Sequence, residues 1–489
     1  MKICITITDD TTAAVVARML ELAPVADLFE VRADFVPDLD LAALARARAK
    51  PILLTCRSQA EGGRSTDAAA RRELLAAAVA LGFELVDIEA RSGFDDVAAA
   101  KRGQGLVLSW HDFAGTPNDL DAIYERMAAS RPDVVKIVTR AQGIADLGRV
   151  LAFARRHAAA TPPLVSFAMG PEGVASRILG GRFSAPFTFA APASGLEAAP
   201  GQIPAGVMAE TYRVRGTTAA TRVFGLLGSD VLRSLSPAIH NRAFLELGAD
   251  AVYVPLQAES LAGFLQALPD LGLSGFSVTR PYKEAIVPQL AECSREAARS
   301  GSVNTVVVDA DGGLVGSSTD GDGVLLPLLR RTDLLRKRVA ILGAGGAARA
   351  AAQALVRAGA CVTVLARRPE QAEEVASATG CAHAPLDAFA ALDWDVLLNA
   401  TPVGSGALPG SLPVPRELLR PGTIVFDMVY EPPETPLLAA AAARGCETIG
   451  GVEMLVAQAV GQLRAWTGQE PPVAAMTEAA LAAVAGSRA

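Results

Sequence analysis

Residues 338–349 read Arg-Val-Ala-Ile-Leu-Gly-Ala-Gly-Gly-Ala-Ala-Arg. The apolar run to Leu342 has the length and branching of a buried strand. It leads directly into Gly343-x-Gly345-x-x-Ala348 and then an Ala-rich stretch of helical composition. Alone, that spacing is common in Gly/Ala-rich chains. Between a strand and a helix it lets the backbone N–H groups of Gly343, Ala344, Gly345, Gly346, Ala347 and Ala348 hold a pyrophosphate. The next apolar run, Cys361-Val-Thr-Val-Leu, ends in Ala366-Arg367-Arg368 instead of an acidic residue. An Asp or Glu there would bond a ribose hydroxyl, whereas arginines suit a 2′-phosphate, so NADP is expected over NAD. The alternative is an arginine pair that merely ends a strand. This α/β unit continues to about Gly450, and Ala-rich helices close the chain.

Upstream, the chain has a different rhythm. Strand candidates begin near Ile3, Leu28, Ile52, Leu85, Leu106, Val134, Leu164 and Ala185, and each of the first seven precedes a segment long enough for a helix. Eight such units in about 200 residues fit a compact parallel (β/α)8 barrel better than an open sheet. The 489 residues suggest about three domains, with 51% hydrophobic and 20% charged residues to build packed cores. The expected division is a barrel over 1–208, a linker over 209–221, a substrate lobe over 222–325, a dinucleotide lobe over 326–450 and closing helices over 451–489 that return to the substrate lobe. The 45 basic and 52 acidic residues leave a net charge of −7, and no Lys/Arg-rich block marks a nucleic-acid partner. Mean hydropathy is +0.31, yet no apolar stretch approaches the ~18 residues of a membrane span. The chain starts at once with a strand, so no presequence is expected. Six scattered cysteines without a Cys-x-x-Cys pair fit reduced thiols in the cytoplasm, and four dispersed histidines suggest no zinc site.

Several charges interrupt the predicted barrel strands. Glu30, Arg32 and Asp34 alternate, which puts all three on one strand face. Asp87 and Glu89 repeat the spacing, Lys136 breaks an apolar run, and His111 closes another. An outward charge would lie under the helices, so the interior at the carboxyl end of the barrel is the expected place. A lysine in such a pocket can lose its proton near neutral pH and attack a ketone as a Schiff-base nucleophile, with a histidine shuttling protons. A structural ion pair of Lys136 with Glu30 or Glu89 is the alternative for that residue alone.

As a set, Glu30-x-Arg32-x-Asp34, Thr55-x-Arg57 with Glu61-Gly62-Gly63, Ser109-x-His111-Asp112, Lys136, Met169-Gly170 with Arg177, and Pro200-Gly201-Gln202 resemble type I 3-dehydroquinate dehydratase over nearly all of 1–205. The resemblance implies a Schiff base on Lys136, with His111 as general base and acid. Glu30, Arg32, Arg57, Arg177 and Gln202 would bind substrate, the arginines suiting a carboxylate. Ala198 stands where the family commonly has serine, a change that weakens substrate binding by about 1 kcal/mol on paper.

In the second half, Ser234-Leu-Ser236-Pro places two hydroxyls before an expected helix start, where N-capping is their ordinary use. Val278-Thr279-x-Pro281-x-Lys283, Gly301-Ser-Val-Asn304-Thr305 and Thr319-Asp320-Gly321 add a lysine, an asparagine and an aspartate among hydroxyls. With Asn399-Ala-Thr401-Pro, Asp427-Met-Val-Tyr430 and Gly451-x-x-Met454-Leu-Val-x-Gln458, these stretches resemble shikimate dehydrogenase over 223–480. The resemblance implies Lys283 and Asp320 as the catalytic pair, and Ser234, Ser236, Thr279, Asn304, Tyr430 and Gln458 as substrate ligands. Asn399, Thr401, Met428 and Gly451 would flank the cofactor. Arg280 and Tyr282 depart from the usual residues. Together the two resemblances imply a bifunctional enzyme that dehydrates 3-dehydroquinate and then reduces 3-dehydroshikimate with NADPH. Small-molecule substrates are therefore expected, without nucleic acid or membrane. A catabolic quinate-preferring fusion and a silent quinate-pathway sensor are the alternatives, the sensor disfavoured by the intact Lys136, His111, Lys283 and Asp320.

Overall fold

Eight strands follow from the amino terminus: β1 (Lys2–Ile7), β2 (Leu28–Arg32), β3 (Ile52–Thr55), β4 (Leu85–Glu89), β5 (Gly105–His111), β6 (Val134–Arg140), β7 (Leu164–Met169) and β8 (Phe187–Ala190). All pair in parallel in the order β8-β1-β2-β3-β4-β5-β6-β7. Across the remaining seam the rings of Phe167 on β7 and Phe189 on β8 lie 6.0 Å apart. The computed structural model describes residues 1–101, 103, 105–406 and 408–486, which form two compact units.

Alternation along the strands sorts the side chains. Cys4, Leu28, Leu53, Val107, Val134, Val138 and Phe167 fill the barrel interior, while Trp110, Val135, Ile137 and Phe153 pack under the helices. Lys136 sits between Val135 and Ile137, so the two-residue period turns it inward. One strand boundary differs from expectation. β2 ends at Arg32, and Asp34 lies in a 3-10 turn, Ala33–Phe35. Asp34 therefore does not extend the strand face but folds back to accept from Arg32 Nε at 2.9 Å and Nη2 at 2.8 Å.

The first unit also takes in β9 (Arg222–Gly228) and β10 (Ala251–Gln257), a parallel pair. Helix Leu261–Leu271 packs on helix Ile144–Arg156 so closely that a Cβ on Gly148 would lie 3.0 Å from Ala267. Glu259 accepts from the N–H of Ile144 at 2.9 Å, which supplies a carboxylate to that helix's start. The stretch expected as a linker is ordered: Tyr212 and Val214 are buried, and Arg215 donates to Asp27 at 2.9 Å.

In the second unit, β11 (Leu273–Val278) pairs antiparallel with β13 (Thr305–Val308), β13 with β14 (Leu314–Ser317), and β12 (Glu292–Cys293) joins β14 in parallel. A six-stranded parallel sheet follows, made of β15 (Arg338–Leu342), β16 (Cys361–Ala366), β17 (Ala382–Pro385), β18 (Val396–Asn399), β19 (Ile424–Asp427) and β20 (Glu447–Ile449). Its order, β17-β16-β15-β18-β19-β20, is the doubly wound arrangement, with the switch point between β15 and β18. Apolar layers cover both faces, Val339, Ile341, Val364 and Leu355 on one and Leu342, Leu365, Trp394 and Leu397 on the other. The closing helices Gly451–Thr467 and Val473–Gly486 pack on helix Ser236–Glu246. Among the described residues, no helix is long and apolar enough to cross a membrane.

Candidate active sites

At the carboxyl end of the barrel strands, the buried Lys136 points its Nζ at two carboxylates, Asp87 at 3.4 Å and Glu30 at 3.6 Å, and at the Phe189 ring, 4.0 Å from its centroid. Asp87 is fully enclosed. Burial would raise its pKa, but Arg57 and Lys136 beside it hold it below the ordinary carboxylate value. Arg57 spends its guanidinium on the protein, donating to Asp87 and to Ser109 Oγ, each at 2.7 Å. Ser109 in turn donates to Asp87 at 2.6 Å. Glu30 accepts from Thr6 at 2.9 Å and from Thr55 at 3.0 Å, and Gln202 reaches Thr6 at 3.2 Å. Gln202 also accepts from the N–H of Ala198 at 2.8 Å, so the lid segment is tied to the carboxylate beside the lysine. Arg32 lies at the rim, paired with Asp34 at 2.8 Å.

His111 stands over this cluster with Nδ1 2.9 Å from Glu61. Burial, reinforced by Arg57, Lys136 and Arg32, pushes its pKa well below the usual imidazole value. Burial pushes Glu61 the other way, up to about 7, with Glu89 and Asp87 opposing its charge and Arg57 relieving it. With Nδ1–H given to Glu61, the other ring nitrogen carries a lone pair and serves as a base. Glu61 is held by glycines. A Cβ on Gly63 would meet the Arg57 carbonyl at 2.1 Å, and one on Gly62, where φ is +81°, would strike the Phe113 ring.

Arg177 stands apart from Arg57, which is fully engaged by Asp87 and Ser109. It is buried over the Phe167 ring, 4.1 Å from the centroid, and its Nε and Nη1 have no hydrogen-bond partner. Burial, only partly offset by Glu30, pulls its pKa down to about 9, so it remains a cation at neutral pH. Among the described residues its side chain makes one hydrogen bond, from Nη2 to the carbonyl of Pro200, 3.3 Å away on the lid segment. A fully desolvated guanidinium with free donors is a prepared anion site.

The second unit gathers Lys283, Asp320 and Asn304 directly. Lys283 Nζ lies 2.9 and 2.7 Å from the Asp320 oxygens, and Asn304 donates to Asp320 at 2.8 Å. Thr319, the residue before Asp320, donates to the carbonyl of Gln458 at 3.0 Å and its N–H to Asn304 at 2.9 Å. Gln458 lies against Gly323, where a Cβ would come within 2.6 Å of its Cγ. Ser234 and Ser236 hydrogen-bond each other at 3.2 Å at the start of helix Ser236–Glu246. Thr279 follows β11, ahead of the Lys283 turn, and Tyr430 is exposed on the loop after β19. Tyr282 donates to the Ala258 carbonyl at 2.9 Å, which gives this departure a structural use; Arg280 is exposed.

The dinucleotide turn fits its expected group. Gly343 has φ +104° and rests on Ala400 and Thr401, where a Cβ would be 3.1 Å from each. Among the described residues nothing stands within 4 Å of a Cβ at Gly345 or Gly346, and no side chain caps helix Gly346–Arg357, which leaves the N–H groups of its first turn without a side-chain acceptor. Ala344 and Ala347 complete the turn, Ala348 is buried beneath it, and Arg367 and Arg368 are exposed where β16 ends. Asn399 faces inward, giving its amide to Asp427 at 2.9 Å and accepting from Thr401 at 2.6 Å. Met428 and Gly451 touch, since a Cβ on Gly451 would lie 2.6 Å from the Met428 carbonyl.

The sequence assigns no individual role to Thr6, Glu61, Asp87, Glu89 or Ser109, which the fold brings into this cluster. Alternation on β4 marks Asp87 and Glu89. Glu61 lies in a 3-10 turn, Gln59–Glu61, and has no periodicity to mark it.

A barrel with a lysine among carboxylates, joined to a dinucleotide fold with a Lys–Asp pair, defines a two-site enzyme of lyase and oxidoreductase type. The family described as Type I 3-dehydroquinase matches residues 3–219. The shikimate dehydrogenase substrate-binding domain matches 226–306, and the shikimate 5′-dehydrogenase C-terminal domain 451–481. An NADP oxidoreductase family described as coenzyme F420-dependent matches 338–405. The chloroplastic bifunctional 3-dehydroquinate dehydratase/shikimate dehydrogenase of Arabidopsis thaliana is 34% identical over 91% of this chain and 78% of its own. The NADP(+) shikimate dehydrogenase of Chlorobaculum tepidum is 42% identical over 54% of this chain and 96% of its own. The Thermus thermophilus shikimate 5-dehydrogenase, solved with NADP(H) and shikimate, superposes with a TM-score of 0.50 at 37% identity, covering 54% of this chain and 99% of its own. The chain belongs to the family of bifunctional 3-dehydroquinate dehydratase/shikimate dehydrogenases.

Proposed function

We propose that the barrel dehydrates 3-dehydroquinate to 3-dehydroshikimate and that the second site reduces this product to shikimate with NADPH. The observation that carries the first half is the convergence of Lys136, His111 and the unpaired Arg177 at one barrel mouth. Arg177 takes the substrate carboxylate through its free Nε and Nη1, which sets the ring ketone toward Lys136. Lys136 Nζ adds to the ketone carbon, the carbonyl oxygen leaves as water, and an iminium remains. His111 then removes a proton from the adjacent carbon, and the electron pair left there expels the hydroxyl on the next carbon, protonated by the same imidazolium. Water hydrolyses the iminium, frees Lys136 and restores the ketone. Arg57 balances the charges of Asp87, Glu61 and Glu89, and Glu30 with Gln202 orients substrate hydroxyls.

In the second site the cofactor, when bound, supplies the hydride. Lys283 gives a proton to the carbonyl oxygen, and Asp320 with Asn304 holds the ammonium in place. Ser234, Ser236, Thr279, Tyr430 and Gln458 bind the carboxylate and hydroxyls, with Arg367 and Arg368 at the 2′-phosphate. Both substrates and the cofactor are anions, so a net acidic chain places its cations within its clefts. We assign the barrel to 1–208, its connection to 209–221, the substrate lobe to 222–325, the NADP lobe to 326–450 and the returning helices to 451–489. The free cysteines favour a reducing compartment, the cytoplasm. The test compares NADPH oxidation with 3-dehydroshikimate and with 3-dehydroquinate as substrate. A clear preference for 3-dehydroshikimate supports this reading, and a preference for 3-dehydroquinate would make the second site a quinate dehydrogenase.

A further inference from the structure

Asp427 ends β19 with no exposed surface, and among the described residues no ion pair reaches it. Burial raises its pKa above the ordinary carboxylate value, and three hydrogen bonds oppose the rise. A buried carboxylate without a cation is costly, so its partners matter. One oxygen accepts from the Asn399 amide at 2.9 Å and from the N–H of Val429 at 3.1 Å. The other accepts from the Thr435 hydroxyl at 2.6 Å, and Thr435 caps helix Pro436–Ala443 by accepting from Leu438 N–H at 3.2 Å.

These partners lie on two loops beside the switch point. Asn399 is in register with Leu342 of β15 on one side and with Asp427 on the other. It orders the turn after β18 by accepting from the N–H and hydroxyl of Thr401, at 3.1 and 2.6 Å. That turn is the seat of Gly343 in the glycine-rich bend. Val429 belongs to the loop after β19, on which Gly451 rests with a Cβ position 2.6 Å from the Met428 and Val429 carbonyls. Gly451 opens the helix that carries Gln458.

Resting on the reductase reading above, we propose that Asp427 is a positioning residue that locks the loops after β18 and β19 into a single wall of the NADP crevice. The carboxylate is chosen for this because it accepts at several points and donates at none, so all three donors point at one centre and neither loop moves alone.

The experiment uses the full chain with Asp427→Ala, Asp427→Asn and Thr435→Val. NADP+ affinity is measured by calorimetry, and amide hydrogen exchange is measured over 399–404 and 428–435 without ligand. Asp427→Ala should weaken NADP+ at least about tenfold and speed exchange in both loops above the rest of the sheet. Asp427→Asn, which keeps an acceptor for Asn399 and Val429, should restore affinity to within about threefold of the wild type. Thr435→Val removes one bond and should loosen 428–435 more than 399–404; it decides the matter if Asp427→Ala does not fold. Dehydration by the same chain should be unchanged. Unaltered NADP+ affinity in the alanine variant, or in Thr435→Val if that is the folded one, would overturn the proposal. So would exchange that rises uniformly across the sheet. Failure of the wild-type chain to bind NADP+ would instead defeat the reductase reading.

Discussion

Replacing Arg177 by methionine should make the free barrel more stable and its dehydratase worse. The guanidinium is 1% exposed, has two nitrogens without partners, and burial lowers its pKa from the ordinary guanidinium value to about 9. At ~1.4 kcal/mol per pH unit, that fall corresponds to roughly 5 kcal/mol of penalty for carrying the charge in the absence of substrate. Methionine has similar length and still packs on Phe167, but it gives up the Nη2 bond to Pro200 and fits the space imperfectly. A net gain of about 1–3 kcal/mol is therefore expected from the removal. The sign follows from linkage: a cation whose folded pKa is depressed costs stability below that pKa, and the cost fades only as pH rises through about 9 toward its unfolded value. The catalytic loss runs the other way. Without the charged two-point contact, kcat/KM for 3-dehydroquinate should fall about hundredfold or more. Stability is read by amide exchange of β1 and β7 in urea, and function by dehydratase kinetics, with reduction of 3-dehydroshikimate by the same chain as control. A variant that is less stable than wild type and keeps its KM would refute the assignment of Arg177 as a waiting anion site.

Borohydride with substrate should trap an adduct on Lys136, and Lys136→Ala should abolish dehydration while NADPH-dependent reduction persists; mass spectrometry showing an unmodified lysine under turnover would end the Schiff-base assignment. Because Glu61 titrates at about 7 and His111 needs its carboxylate, dehydratase kcat should fall as pH drops through 7, and Glu61→Gln should remove that step from the pH–rate profile. The same raised pKa predicts that the barrel loses stability as pH rises from the ordinary carboxylate range through 7, since the folded state binds the extra proton there. Gly323→Ala should push Gln458 aside and raise KM for 3-dehydroshikimate about tenfold with little change in NADP+ affinity; an equal loss of both would point to general helix displacement. Lys283→Met should lower reductase kcat at least about hundredfold with the dehydratase intact, measured as NADPH oxidation at saturating substrate.

The eight barrel strands, the Gly343 turn and the arginines after β16 were legible because each rests on a local pattern. An apolar run, a glycine spacing or a charge inside a strand keeps its meaning wherever the chain goes. Lys136 could be placed inside the barrel from its neighbours alone, because side chains alternate along a strand. What that period could not decide is which charge pairs with which. Arg57 and Arg177 read alike as carboxylate ligands, yet strands β3, β4 and β5 bring Asp87 and Ser109 onto Arg57, while among the described residues the Arg177 side chain hydrogen-bonds the Pro200 carbonyl alone. Asp34 continued the alternation on paper and left the strand in fact, since Arg32 and the N–H groups of Arg57 and Arg64 draw its carboxylate into a turn. Asn399 and Asp427, close to the crevice in motif, became visible as one network only once β18 and β19 lay side by side. Local sequence determined the elements and the kinds of chemistry this protein carries. Tertiary packing decided which charges are neutralised and which stay open to substrate, because burial and pairing depend on residues far apart in the chain that meet only when the strands assemble.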